Sequence, residues 1–246
     1  KLKKCKIGTT KPVRCGHIMV PTVRGVPKAG KEKIGFAVRP RGDQSSPSRG
    51  TIIFTEGGPG FAATNFDSAR PATALFKPFL KHRELIFFDQ RGTGHSNQMG
   101  PRARGMTTAN SAADIKALID RMDLKHVILY GDSYGTYLGQ SFAARYGDQL
   151  QALILSSAYP GNNGFWPTLY PAAINAVDLA CDRAKDCSGN AVGRYKRVIR
   201  QLGPGSRKSK NILAYLMGAG SYSPNSYRNL NLAISQFLDG DRAPLF

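Results

Sequence analysis

The sequence is short of acids, short of histidines and free of long apolar runs. Only 16 Asp and Glu stand against 35 Lys and Arg, which leaves a formal net charge of +19. No apolar stretch approaches the ~20 residues a membrane helix needs, so a helical membrane span is excluded. The four cysteines form no CxxC pair beside a histidine, which argues against zinc, and neither metal nor cofactor is expected. The four histidines, His17, His82, His95 and His126, all fall in the first 126 residues. Any chemistry that needs an imidazole later in the chain must find it elsewhere. No internal repeat is visible.

The excess of positive charge invites a nucleic-acid reading, but its distribution weakens that reading. The densest basic stretch, Lys1 to Lys33, precedes the first strong core strand, and the second, Arg194 to Lys210, interleaves only Tyr195 as an aromatic. Such runs are usually solvated surface. Attraction to an anionic cell envelope or an acidic substrate is the weaker alternative, and nucleic acid is not an expected partner.

What is present suits a packed globule. The chain has 246 residues, 41% of them hydrophobic, with 10 Tyr and 12 Phe, enough for one large α/β domain or one domain and part of another. The cysteines fall into two local pairs, Cys5 with Cys15 and Cys181 with Cys187, which fits two disulfides and an oxidising compartment. The start at Lys1 rather than Met predicts a mature chain from which a leader was removed. A secreted or cell-envelope location follows as the expectation.

Unbroken runs of β-formers mark strands at 51–54, 85–88, 127–130 and 152–155, with a weaker edge strand at 34–38. Ser111 is read as the N-cap of a helix with Asp114 at N3 and Ile115, Leu118, Ile119 and Met122 on one face. A second helix is expected over about 134–146. Continuous apolar strands alternating with helices predict a parallel sheet covered on both faces. After Tyr159-Pro160 the texture becomes helical, with candidate helices at 172–184, 191–202, 210–217 and 227–238. Arg41-Gly42-Asp43 lies in a Pro, Gly and Ser-rich turn region and reads as an ordinary loop.

Two motifs carry chemistry. Gly131-Asp132-Ser133-Tyr134-Gly135 stands between a strand and a helix. A sharp turn there would expose the Ser133 hydroxyl as a nucleophile, with the flanking glycines letting the turn pack closely. The alternative is a plain tight turn, and the position between strand and helix favours the nucleophile. Glu56-Gly57-Gly58-Pro59-Gly60 follows directly on the strand at 51–54. Attack on a carbonyl places charge on its oxygen, and preorganised N–H donors stabilise that charge. Gly58 and Tyr134, the residue after the nucleophile, are the expected backbone donors. Glu56 is either a contact for a substrate amine or a brace for this loop.

These motifs, with Phe88-Asp89-Gln90-Arg91-Gly92-Thr93-Gly94-His95-Ser96 between them, resemble the proline iminopeptidase and tripeptidyl aminopeptidase group of α/β-hydrolases across roughly residues 13–160. The resemblance implies an α/β-hydrolase fold, a mostly parallel sheet covered by helices with a helical cap insertion. Residues 1–165 would be the amino-terminal part of the core and 166–246 an incomplete cap, with the sheet itself incomplete. It implies a serine exopeptidase that removes residues from peptide amino termini through an acyl-enzyme. Cys5 and Cys15, and Cys181 and Cys187, sit where secreted members carry disulfides. Glu56 departs from the His or Asn usual in the family.

In this fold the acid and the histidine follow the serine, and no histidine follows Ser133. Asp239 and Asp241 follow it but lie in a Gly-rich stretch and read as loop acids. A triad Asp and His on a carboxyl-terminal segment or companion chain is therefore expected. The competing readings are an esterase or lipase-like hydrolase and a non-catalytic hydrolase-like binding protein.

Overall fold

The computed structural model describes residues 2–8, 12–98, 104–161, 165–184, 190–219 and 224–243. The chain divides into two units, Lys1–Gly161 and Asn162–Phe246.

The first unit is built on a seven-stranded sheet. Its strands are β1 (Lys3–Cys5), β2 (Val13–Pro21), β3 (Lys31–Arg39), β4 (Thr51–Thr55), β5 (Glu84–Phe88), β6 (Val127–Asp132) and β7 (Leu150–Ser156), in spatial order β1-β2-β3-β5-β4-β6-β7. β1, β2 and β3 form an antiparallel meander that joins β5 antiparallel, whereas β5, β4, β6 and β7 are parallel. Helices α1 (Phe66–Phe76), α2 (Thr108–Met122) and α3 (Tyr134–Tyr146) link the parallel strands.

The period-two geometry of a strand decides which side chain meets which helix. Ile53, Ile86, Phe88 and Leu129 point to one face, where they pack with Ile115 and Leu118 of α2 and Leu138 and Phe142 of α3. Ile52, Phe54, Leu85, Phe87 and Tyr130 point to the other, against Ala69, Ala72 and Phe76 of α1. Because both faces are covered, these strands read as continuous apolar runs in sequence.

Three local expectations are corrected, the first being the edge strand at 34–38, which lies within β3 and is paired on both sides, with β2 and β5. The α2 cap is Thr107, whose side chain accepts from Asn110 N–H, and Ser111 is buried inside the helix. Thr107 holds the extended backbone a cap requires, and the helix starts one turn earlier than the apolar face announces. β2 and β1 arise from the basic stretch before residue 33: Val13, Ile18 and Val20 are buried while Arg14, Met19 and Pro21 face out. No element had been expected at α1, which carries in its interior Pro71, a residue that punctuates a helical pattern. The strand over 152–155 ends the run of parallel strands as expected, in β7. It lies at the sheet edge, with Ile154 42% and Leu155 36% exposed.

The second unit contains α4 (Phe165–Ala184), α5 (Ala191–Leu202), α6 (Arg207–Ala219) and α7 (Pro224–Leu238). Helical spacing makes its core: Ala173, Val177 and Cys181 on α4 pack with Tyr195 and Val198 on α5 and with Leu230, Ile234 and Phe237 on α7. Asn190 caps α5 by accepting from Gly193 N–H at 2.7 Å. Among the described residues no helix is long and apolar enough to cross a membrane.

Candidate active site

The place of the site follows from strand order. The chain lays β5 on one side of β4, then crosses to lay β6 on the other. The loops leaving the carboxyl ends of these strands therefore diverge, and a crevice opens between them. Glu56–Gly60 leaves β4, Asp89–Ser96 leaves β5, and Ser133 leaves β6.

Ser133 occupies the turn between β6 and α3 with φ 51° and ψ −120°. A positive φ at a residue with a side chain is a strained conformation, of order 1–3 kcal/mol, held by its surroundings. Those surroundings are specific. Ser133 N–H donates to the Ser156 carbonyl at the end of β7, 3.0 Å away. The Ser133 carbonyl accepts from the Thr136 backbone N–H at 2.9 Å and the Thr136 hydroxyl at 2.6 Å. The two flanking glycines are required by space: a Cβ on Gly131 would lie 2.1 Å from the Gly135 carbonyl oxygen, and one on Gly135 would lie 2.6 Å from that of Thr55. The Ser133 hydroxyl lies 3.4 Å from the Tyr159 hydroxyl. Tyr159 is itself tied to α3, its N–H donating to the Thr136 hydroxyl and its carbonyl accepting from Gln140.

The glycine loop after β4 reaches the serine through Gly57, a residue sequence reasoning passed over in favour of Gly58. A Cβ on Gly57 would stand 2.8 Å from Ser133 Cβ and 3.2 Å from its Oγ, so only glycine fits there. Gly58 has φ 106°, again a glycine conformation. The carboxylate of Glu56 accepts from Gly57 N–H at 2.9 Å, and the Glu56 carbonyl accepts from the Gln90 side chain at 2.8 Å. Tyr134 is the first residue of α3, where backbone N–H groups have no partner within the helix. Its ring is largely buried, which pushes the phenol pKa up, and its hydroxyl lies 2.7 Å from that of Thr108. A cavity of about 530 Å³ adjoins Tyr134, Pro59 and Gly60 and is walled by Gln90, Thr93 and Thr108.

The loop after β5 is a hydrogen-bonded scaffold. Asp89 is fully buried and accepts from the Thr64 N–H and hydroxyl and from His95 N–H. Burial raises its pKa, and those hydrogen bonds oppose the rise. Arg91, also buried, pairs with Asp114 of α2 and donates to the Pro21 carbonyl at 2.8 Å, joining this loop to β2. Arg24 shares the same Asp114 carboxylate at 2.7 Å. Asp43 of the Arg-Gly-Asp triplet is held by Ser45 and Ser46, whose hydrogen bonds lower its pKa.

None of the four histidines stands in for a base beside Ser133. His95 Nδ1 lies 3.7 Å from Asp89 and 4.0 Å from Cys15 Sγ, against β3 at Gly35. His17 sits within β2, paired with Gly35. His82 and His126 precede β5 and β6, whereas Ser133 follows β6. Six residues of strand separate His126 from the serine, about 20 Å.

The comparison with known families decides the class, because residues 50–191, more than half the chain, match the family described as the alpha/beta hydrolase fold. The chain belongs to that α/β-hydrolase family. Among curated proteins it is similar to the tripeptidyl aminopeptidase of Streptomyces coelicolor, 25% identical over 202 residues that cover 63% of this chain and 37% of that protein. It is also similar to the proline iminopeptidase of Chitinophaga pinensis, 26% identical over 119 residues that cover 46% of this chain and 37% of the relative. The chain thus spans little more than a third of the length of either. Among solved structures, a proline iminopeptidase from Mycobacterium smegmatis shares the fold with a TM-score of 0.50 and 18% identity, over 87% of this chain and 70% of that one.

For this α/β-hydrolase chain, the two units bear differently on the cysteines. Cys5 and Cys15 are joined across β1 and β2. Cys181 is buried on α4, while Cys187 lies outside the described residues.

Proposed function

We propose that the protein is the amino-terminal part of a secreted serine aminopeptidase, cleaving residues or short peptides from free peptide amino termini through an acyl-enzyme. The observation that carries this reading is the strained Ser133 turn, against which Gly57 packs so closely that no other residue fits there, while Gly135 of the same turn is pressed against Thr55 at the end of β4. Ser133 attacks the scissile carbonyl. The backbone N–H groups of Gly58 and Tyr134 receive the developing oxyanion, each contributing roughly 3–4 kcal/mol to transition-state stabilisation. The peptide class is supported by the names of the similar curated proteins.

A serine hydroxyl without a base is a poor nucleophile. The reading therefore places the triad Asp and His on a segment outside residues 1–246, in the same chain or a companion. Glu56 is assigned as the loop brace, since its carboxylate is engaged by its own neighbour's N–H. Glu56→Gln keeps an acceptor oxygen and is expected to leave kcat within about twofold, while Glu56→Ala lowers it by about tenfold. Both variants are expected to retain the wild-type preference for unblocked over N-acetylated peptide p-nitroanilides, measured by kcat/KM. Loss of that preference in the Gln variant would assign Glu56 to the substrate amine instead. An enzyme that hydrolyses simple esters but neither peptide substrate would overturn the aminopeptidase reading.

The extracytoplasmic assignment is supported by the Cys5–Cys15 bridge. Non-reducing peptide mapping is expected to recover Cys5–Cys15 and Cys181–Cys187, with no crossed pair and no free thiol. Cys5→Ala with Cys15→Ala is expected to destabilise the protein by about 2–3 kcal/mol in the chain-entropy account of a short loop. An unchanged Tm would remove the structural role of that bridge.

A further inference from the structure

The helical unit carries a feature that peptide hydrolysis does not use. Residues 187–238 contain eight Lys and Arg and no Asp or Glu. On α5 the apolar face is spent on the core, where Ala191, Tyr195 and Val198 are buried, and the outward positions are basic. Lys196 and Arg200 stand four residues apart on that helix, both exposed. Like charges at this spacing repel, and an anion between them relieves the repulsion.

These charges rim a groove. A cavity of about 470 Å³, within the range of small-molecule sites, runs between α5 and α6 and is closed at one end by Pro204 and Gly205. Its apolar surface comes from Tyr195, Ile199 and Leu213, of which Ile199 and Leu213 are only half-buried. Lys196 and Arg200 from α5 and Lys210 from the first turns of α6 line the same groove. Their methylene stems extend the apolar wall while the charged ends stay in water. The amino-terminal end of α6 adds a further positive partial charge. A purely polar anion would leave the apolar wall wet, and a neutral chain would leave the cations unrelieved. One ligand class satisfies both.

We infer that the α5–α6 groove binds a single-chain anionic amphiphile, an alkyl chain ending in a carboxylate or phosphate. The tail lies against Tyr195, Ile199 and Leu213, and the head sits among Lys196, Arg200 and Lys210. Nucleic acid fits less well, since the groove's one aromatic, Tyr195, is buried and presents no stacking face.

The probes are laurate below its micelle concentration and dodecyl maltoside, which has the same tail and a neutral head, titrated by calorimetry into the whole protein. Laurate is expected to bind saturably at one site and more weakly as NaCl rises. The neutral amphiphile is expected to bind at least about tenfold more weakly, and Lys196→Gln with Arg200→Gln and Lys210→Gln should weaken laurate by a similar factor. Far-UV circular dichroism should be unchanged in that variant. Ile199→Trp, which fills the groove, should weaken laurate without removing a charge. Protein labelled at Ser133 by a fluorophosphonate should bind laurate as before. Equal affinity for the two amphiphiles, unchanged laurate binding in the triple variant, or loss of binding on active-site labelling would each overturn the site. Binding to phosphatidylglycerol vesicles with none to laurate would overturn it too, in favour of surface adsorption.

Discussion

Ser133→Ala is expected to reduce hydrolysis of peptide p-nitroanilides by roughly 10⁴-fold or more in the assembled enzyme, the scale seen when a serine nucleophile is removed. On the proposed mechanism the effect is large because the other parts of the machinery act through this one atom. The oxyanion donors stabilise a tetrahedral centre that forms only after Ser133 Oγ attacks, so without the attack they have nothing to bind. The turn is already strained at φ 51°, and Gly57 packs directly against Ser133. Alanine fits the same turn, so folding should be preserved and the loss should appear in kcat. A fluorophosphonate should label Ser133 alone, as read by peptide mass spectrometry. Substantial turnover by the alanine variant, or label on another serine, would refute the assignment.

Residues 1–246 expressed alone are expected to be inactive and prone to aggregate, and the continuing carboxyl-terminal segment is expected to restore solubility and hydrolysis together. Two independent observations converge here. The first is structural: β7 lies at the sheet edge with Ile154 and Leu155 exposed, and an open apolar edge strand is a template for association with other chains. The second is chemical: no histidine follows Ser133, His95 lies beside Asp89, His82 beside Asp43, His17 sits within β2, and His126 precedes β6. A strand added beside β7 would cover the edge and bring the chain after it back to the carboxyl ends of the sheet, where Ser133 lies. Activity should rise by at least about 10³-fold on adding the segment, in cis or as a separate chain, because general-base catalysis and activation of the serine return together. Size-exclusion chromatography with light scattering should show aggregates giving way to a single species. A monodisperse and fully active 1–246 protein would refute this and point to an upstream histidine as the base.

Much of the parallel core was legible in sequence. The four runs 51–54, 85–88, 127–130 and 152–155 lie within β4, β5, β6 and β7, and the helix from Tyr134 to Tyr146 runs as expected. Apolar β-formers covered on both sides have no polar residues to interrupt them, so their pattern survives without knowledge of the fold. Of the meander, the run at 34–38 lies within β3, whereas β1 and β2 were hidden for the opposite reason. β2 has one face toward solvent, and its basic residues read as a charged tail until pairing with β3 shows Val13, Ile18 and Val20 to be interior.

The sequence by itself determined that Ser133 lies in a turn between a strand and a helix, because a strand, a Gly-Asp-Ser-Tyr-Gly turn and a helix are local and each half carries its own signal. It also shows that no histidine follows Ser133 within residues 1–246, since a residue that is absent can be counted without a structure. Only the tertiary structure decided that Gly57 is the residue against Ser133, that Glu56 is engaged by its own loop, and that Arg91 pairs with Asp114. These are contacts between segments tens of residues apart, set by the order β5-β4-β6-β7, and no local periodicity encodes which loops a strand order brings together.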